Sequence, residues 1–129
     1  MKTIIAIILF LCPIIVMAQV EHNFKMGPKN TDCHTLPSTF ESAEQAISAV
    51  ESSKFRFQQS IRISRIQSPR SVVFYSCDGE QGYLIAQENE TLRLIYPDVP
   101  MAVWNDFINE ENPIEFYNTQ IKGIYDVME

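Results

Sequence analysis

The sequence lacks the short motifs by which many enzymes are recognised. It contains no glycine-rich phosphate loop, no Gly-x-Ser-x-Gly around a nucleophilic serine and no His-Glu-x-x-His zinc motif. Positive charge is scarce as well, because ten Lys and Arg residues stand against sixteen Asp and Glu residues, a net charge of -6. Nonspecific binding of nucleic acid depends on a basic surface, so this charge balance argues against it.

Residues 1–18 have the composition of a secretory signal peptide. Lys2 supplies the positive start, residues 4–11 form an apolar run, and the region before the predicted cleavage site ends with the small residue Ala18. Pro13 interrupts the apolar segment, whereas a membrane span needs about 20 continuous apolar residues. We therefore expect cleavage before Gln19 and a secreted or periplasmic bacterial protein whose mature chain has no transmembrane segment.

The mature chain is long enough for one domain. A chain of this length buries roughly two thirds of its unfolded surface, so no metal is required to complete a core. Residues 19–37 show neither helical nor strand periodicity and are predicted to form an irregular N-terminal arm. Residues 38–129 are predicted to form a single α+β domain.

Two cysteines, Cys33 and Cys77, remain after export. A disulfide between them would close a long loop and add about 4 kcal/mol on the chain-entropy model. Spacing does not show whether the two sulfurs meet, so the bonded and the free forms both remain open.

Helical periodicity occurs twice in the domain. The spacing of Ser38 and Glu41 allows a capping box, and the apolar residues that follow predict a helix over about 39–52. Pro100 suits the first position of a second helix, which should end before Pro113.

Between the helices the apolar period changes to 2. Residues 54–63 alternate, which predicts a strand with one face in water, and two adjacent glutamines within it allow a bulge or two shorter strands. Residues 71–77 are predicted to form a second strand, whose continuous apolar stretch at 72–75 should be buried on both faces. With two further strands at 83–87 and 91–96, the prediction is an N-terminal helix, an antiparallel meander of about four strands and a covering C-terminal helix, packed as two layers.

Four stretches of the second half of the chain are "SVVFY", "YPDVP", "VWNDF" and "EFYNTQIKGIY". Through them residues 71–125 resemble the KTSC domain, a small module found at the C-terminus of some lysyl-tRNA synthetases and alone in bacterial and phage proteins. The resemblance implies a strand meander followed by a helix, and a binding function that is unassigned, with RNA binding suggested from its neighbour in the synthetase. Leu94 replaces the first residue of the family's Tyr-x-Tyr pair, which leaves Tyr96 as one ring for base stacking.

The basic residues are concentrated in one segment. Residues 54–70 contain five bases and no acid, whereas acids dominate from Asp78 onward. The two parts can neutralise each other across the fold, or the basic segment can bind an anion. On one strand Lys54, Arg56 and Arg62 would point the same way and engage a polyanion or an acidic partner, or they would guard an edge strand against aggregation.

Tyrosines with polar neighbours form a second group of candidates. Tyr96 and Tyr117 can either pack in the core or belong to a recognition surface, with Asn118 and Lys122 beside them. The complete set of candidate binding residues is Lys54, Arg56, Arg62, Tyr96, Tyr117, Asn118 and Lys122.

Catalytic and metal sites are not expected. Cys33 stands beside His34, but neighbours in sequence seldom have the geometry of a nucleophile and its base. His22 and His34 with Asp32 and Cys33 show no established zinc-ligand spacing. We therefore predict no catalytic residue, no metal and no cofactor.

These observations lead to two functional hypotheses. The first is an exported, non-enzymatic interaction domain of KTSC type that contacts a protein or a component of the cell envelope. The alternative is a nucleic-acid-binding module that uses the basic residues together with Tyr96.

Overall fold

The computed structural model describes residues 31–128, and it has the α+β fold that the sequence predicts. The predicted signal peptide and residues 19–30 of the predicted arm lie outside the described residues. In chain order the elements are β1 (Thr31–Asp32), a 3-10 turn (Cys33–Thr35), α1 (Ala43–Glu51), β2 (Ser53–Lys54), β3 (Phe57–Arg62), β4 (Ser71–Ser76), β5 (Gln81–Gln87), β6 (Arg93–Pro100), α2 (Met101–Ile108), α3 (Pro113–Phe116) and a π-helical turn (Tyr117–Ile121).

The start of the described chain is regular. β1 pairs in parallel with β2, and this pairing places Asp32 opposite Lys54. The Asp32 carboxylate then caps the 3-10 turn by accepting a hydrogen bond of 3.0 Å from the His34 amide. The sequence predicts an irregular arm up to Pro37, but residues 31–35 gain their order from β2, which is remote in sequence.

α1 begins later than the sequence predicts. Ser42 is its N-cap, and the Ser42 hydroxyl accepts a hydrogen bond of 3.1 Å from the Gln45 amide. The Gln45 side chain in turn accepts one of 2.7 Å from the Glu41 amide. The capping pair is therefore Ser42 and Gln45 instead of Ser38 and Glu41. Both pairs have the same three-residue spacing, so the spacing alone does not distinguish them.

The two main helices cover opposite faces of the sheet. Successive side chains of a strand alternate in direction, so Phe74 packs beneath α2 while the adjacent Tyr75 packs beneath α1. The buried residues of the α2 face are Val72, Phe74, Leu84, Ala86, Tyr96, Val99, Trp104, Phe107, Tyr117 and Ile121, and those of the α1 face are Ala46, Ile47, Val50, Tyr75, Ile85 and Ile95. The fold thus has three layers instead of two, and the prediction that β4 is buried on both faces is confirmed.

Trp104 is the largest fully buried side chain. Its indole ring stacks on Phe74, with ring centroids 5.3 Å apart and planes inclined by 10°. The indole N–H donates a hydrogen bond of 3.0 Å to the side-chain oxygen of Gln59. These contacts hold α2 against β3 and β4 while satisfying the polar end of the ring.

The predicted strand at 54–63 is divided into β2 and β3. Phe55 packs on the α1 face, 5.3 Å from the ring of Tyr75, whereas Phe57 packs on the α2 face, 6.2 Å from the ring of Phe74. On a continuous strand these two side chains would share a face. The bend at Arg56 turns the chain over, two residues before the glutamines at which the sequence allows a break.

The two edges of the sheet differ. β6 carries a bulge opposite Tyr83, formed by Pro97 and Asp98, and Asp98 has a φ of 57°. The C-terminal segment runs beside this strand, where the Met128 amide donates a hydrogen bond of 2.9 Å to the Ile95 carbonyl. β3 pairs on one side with β4, and no strand within residues 31–128 lies on its outer side.

Candidate functional site

A disulfide joins the start of the described chain to the end of β4. Cys33 and Cys77 are bonded, with their Cα atoms 5.9 Å apart, and both residues are partly buried. The bond lies in an open groove with a volume of about 640 Å³. We call this region the disulfide corner, and it comprises Asp32, Cys33, His34, Lys54, Arg56 and Cys77.

An aspartate and a histidine form a pair within the disulfide corner. The ring Nδ1 of His34 lies 2.9 Å from Oδ1 of Asp32. The hydrogen bond from the His34 amide, followed by that from its ring and by the charges of His34 and Lys54, lowers the pKa of Asp32 below its usual value. Asp32 is therefore an anionic acceptor at neutral pH, held in place by the turn that it caps.

Four potential metal ligands meet at this corner. Asp32, Cys33, His34 and Cys77 each offer one ligand atom, and these atoms lie within 4.8 Å of one another. The combination considered from sequence contained His22, which lies outside the described residues, and omitted Cys77. Cys77 is 44 residues from Cys33, so no ligand-spacing rule could have identified it.

The basic segment is largely unneutralised. Within residues 31–128, ion pairs join Arg70 to Glu90, Arg93 to Glu51 and Lys122 to Glu88. No carboxylate of the described chain lies within ion-pair distance of Lys54, Arg56, Arg62 or Arg65. Within residues 54–70, a direct ion pair with a carboxylate of the described chain is formed by Arg70, while Lys54 interacts with Asp32 at longer range.

The basic residues do not form one strand face. Lys54 belongs to β2 and Arg56 to the bend after it, whereas Arg62 ends β3. Six residue steps at about 3.3 Å each separate Arg56 from Arg62 by roughly 20 Å along the chain. One pair of bases, Lys54 and Arg56, thus lies at the start of β3, and a second pair, Arg62 and Arg65, lies at its end.

The tyrosine candidates are placed in the core. Tyr96 and Tyr117 are 1% and 0% exposed, and their rings meet edge to face with centroids 6.2 Å apart. They are therefore absent from any accessible recognition surface. Asn118 is exposed, and its side chain donates a hydrogen bond of 3.0 Å to the Ile114 carbonyl. Lys122 reaches inward to Glu88 at 3.1 Å.

A buried polar cluster surrounds Glu88, whose side chain is 4% exposed. Its carboxylate accepts hydrogen bonds from the Tyr117 hydroxyl at 2.9 Å, from the Lys122 ammonium at 3.1 Å and from the Ser68 hydroxyl. The Tyr96 hydroxyl lies 2.9 Å from that of Tyr117, and it is the donor because the proton of Tyr117 is directed to Glu88. Burial, above all, raises the pKa of both tyrosines.

The polar cluster stabilises the fold. Its carboxylate is enclosed and accepts three hydrogen bonds, two on Oε1 and one on Oε2, all from groups of the fold itself. Through Tyr117 and Lys122 it ties the C-terminal segment to the end of β5, and through Ser68 it holds the loop before β4. Glu88 directly follows the predicted strand at 83–87, and it has the same strand parity as Leu84 and Ala86, which face α2.

Comparisons of the chain with protein-family models, with curated proteins and with solved structures found no match. Among residues 31–128, no helix has the length and apolar character needed to cross a membrane. Two surface features of the described chain can take part in binding, the disulfide corner and the outer edge of β3.

Proposed function

We propose that this chain is an exported, non-enzymatic interaction domain of KTSC type that binds an extended acidic segment of a partner protein along the outer edge of β3. The observation that carries the proposal is an edge of β3 on which no strand of residues 31–128 lies, with a pair of basic residues at each end. Export is supported by the signal-like leader and by the disulfide, since such bonds persist in oxidising compartments.

The edge of β3 supplies the backbone groups for the interaction. An edge strand presents a row of amide and carbonyl groups, and an extended peptide can pair with them as an added strand. β3 spans Phe57–Arg62, a length of about 20 Å that matches a peptide of about six residues. Its exposed residues are polar, which keeps the edge soluble when no partner is bound.

Charge selects an acidic partner. Lys54 and Arg56 lie at one end of the edge, Arg62 and Arg65 lie at the other, and none of the four forms a direct ion pair with a carboxylate of residues 31–128. An acidic peptide that spans β3 would meet a pair of positive charges at each end. Such complementarity raises the association rate and disfavours basic competitors.

A partner protein fits this edge better than RNA does. The ring that would stack on a base, Tyr96, is buried in the core. The net charge of -6 opposes a long polyanion, whereas a short acidic peptide contacts the basic ends alone. The nucleic-acid alternative therefore loses Tyr96 as a ring for base stacking and retains contacts between basic residues and phosphates.

The test uses residues 19–129 and a fluorescent decapeptide of alternating Glu and Val. We expect saturable binding that weakens with salt and is absent for the matching peptide of Lys and Val. Arg56→Glu should weaken binding about tenfold, equal to about 1.4 kcal/mol. Arg93→Glu, which changes the charge equally on the opposite edge strand, should leave binding within about twofold, or about 0.4 kcal/mol.

A second probe separates strand addition from simple charge attraction. A decapeptide with the same sequence but alternate N-methylated amides cannot pair along an edge, so we expect it to lose binding. Equal binding of both peptides would exclude strand addition. Binding of single-stranded RNA or of anionic phospholipid vesicles in place of the peptide would contradict the proposal and identify the competing class of partner.

A further inference from the structure

We propose that the disulfide corner is a redox-controlled zinc site, which binds Zn²⁺ through Cys33, Cys77, His34 and Asp32 after the disulfide is reduced. The bonded form closes the site, because each sulfur is then committed to the other. The reduced form would release two sulfur ligands beside a histidine and a carboxylate. This inference is independent of the partner proposed for β3.

The spacing of the ligand atoms fits a tetrahedral ion. The four atoms already lie within 4.8 Å of one another. Zinc bonds of about 2.0–2.3 Å in tetrahedral geometry place neighbouring ligand atoms roughly 3.3–3.8 Å apart. The ligand atoms are therefore close to the separations that a zinc site requires, and the two sulfurs have to move apart after reduction.

Two of the ligands are positioned without help from the disulfide. β1 is held by its pairing with β2, and Asp32 fixes the following turn by accepting from the His34 amide at 3.0 Å. The Thr35 hydroxyl adds a hydrogen bond of 2.7 Å to the Asp32 carbonyl. The Asp32 carboxylate and the His34 ring already face each other at 2.9 Å, where an ion could replace the shared proton.

The ligand set and its surroundings favour zinc. Two thiolates with an imidazole and a carboxylate form a four-ligand set of the type that Zn²⁺ accepts, whereas hard ions such as Mg²⁺ and Ca²⁺ require oxygen ligands. Two thiolates and one carboxylate around Zn²⁺ carry one net negative charge. Lys54 and Arg56 border the same groove together with Asp78, so the two cations outnumber this acid and would offset the charge of the site.

The change between the two forms is a balanced thiol–disulfide exchange. One thiolate of a dithiol reductant attacks one sulfur of the Cys33–Cys77 bond and forms a mixed disulfide with it. The second thiol of the reductant then attacks this mixed disulfide, so the reductant leaves as a cyclic disulfide and both protein sulfurs are reduced. Two electrons and two protons pass to the protein, giving two thiols. Binding of Zn²⁺ then releases these two protons to the solvent. The groove is open to the solvent, so a reductant can reach the bond.

The experiment compares the oxidised and the reduced forms of residues 19–129. The chain is reduced with a dithiol under argon, separated from the reductant by gel filtration and titrated with Co²⁺ as a spectroscopic probe for zinc. We expect thiolate-to-cobalt charge-transfer bands that saturate at one equivalent, displacement of Co²⁺ by Zn²⁺, and no such bands for the oxidised form.

Variants assign the ligands. His34→Ala keeps both cysteines and the disulfide, so the oxidised fold is retained, and it should weaken Zn²⁺ binding by at least tenfold. His22→Ala, which removes the other histidine of the chain, is the matched control and should bind like the parent. Asp32→Asn should also weaken binding while the cobalt charge-transfer bands persist.

Two results would overturn the proposal. One is a reduced chain that takes up no stoichiometric Co²⁺ or Zn²⁺, whether it remains folded or not by circular dichroism. The other is equal affinity of His34→Ala and His22→Ala, which would show that the two thiols bind metal without the rest of the corner.

Discussion

The two faces of the sheet are stabilised in different ways. The α2 face buries the largest side chains of the described chain, including Trp104, Tyr96 and Tyr117, and it encloses the polar cluster around Glu88. The α1 face is built mainly from smaller aliphatic residues, and a disulfide at its margin links Cys33 to Cys77. The α2 face is thus densely packed, whereas the α1 face has a covalent link and an accessible groove at its margin. The proposed zinc site lies in this groove, and the proposed partner binds at the outer edge of β3.

Trp104→Ala tests the dense face and should have the largest effect. The variant removes the stacking on Phe74 and the hydrogen bond to Gln59, and it leaves a cavity in the core. We expect a loss of about 5 kcal/mol in the free energy of unfolding, measured by urea denaturation. Ile66→Ala, at a site that is 87% exposed, should change it by less than about 0.5 kcal/mol. A loss for Trp104→Ala as small as that would mean that α2 is not tightly packed.

Replacing both cysteines by serine tests the covalent link of the other face. The bond closes a loop with a sequence separation of 44, so its removal should cost about 4 kcal/mol of unfolding free energy. Urea denaturation of the double variant and of the parent, with and without reductant, checks the value. The reductant should destabilise the parent and leave the variant unchanged, and an equal response of both would show that the bond is not the cause.

Glu88→Ala tests how much the polar cluster contributes to stability, apart from the apolar packing of the same face. The change leaves the Tyr117 and Ser68 hydroxyls without their acceptor and the Lys122 ammonium without its partner. We expect a loss of about 3 kcal/mol in unfolding free energy. Glu90→Ala removes a distant contact to Arg70 from a side chain that is 83% exposed, and it should cost less than about 0.5 kcal/mol. Similar losses for both variants would refute a stabilising role specific to Glu88.

Alkaline pH should weaken the α2 face through its buried tyrosines. The pKa of Tyr117 is raised in the folded state, chiefly by burial, so the unfolded chain loses the proton first. The stabilisation is complete below about pH 10 and falls above it, by about 1.4 kcal/mol per pH unit for one tyrosine. Chemical denaturation between pH 9 and 11, the range about the ordinary tyrosine pKa near 10, checks this. The unfolding free energy of Tyr117→Phe should decline less steeply with pH than that of the parent. Tyr125 lies outside the polar cluster, so Tyr125→Phe should decline as the parent does.

The class of the fold follows from the sequence because periodicity reports burial directly. The change from a period of 3.6 to a period of 2 near Lys54 and the apolar run of β4 predict a helix followed by a sheet, as observed. The position of the helix start does not follow, because Ser38 with Glu41 and Ser42 with Gln45 satisfy the same capping rule. Only contacts distant in sequence distinguish the two.

The surface features were harder to predict for the same reason. The bend at Arg56 reverses the face of the following strand, so Lys54, Arg56 and Arg62 do not share the single strand face that the sequence predicts. The approach of Cys77 to His34 involves the pairing of β1 with β2, strands that are about 20 residues apart in sequence, which no local pattern reveals. Tyr96 and Tyr117 have polar ends that suggest a wet surface, but the structure satisfies those ends inside the core through Glu88.

The bulge at Asp98 and the C-terminal segment beside Ile95 together determine which edge of the sheet can accept another strand. β6 is twisted and covered, so within residues 31–128 a further strand can be added at β3 alone. Strand pairing between two copies through β3 would therefore join their two four-stranded sheets into one sheet of eight strands.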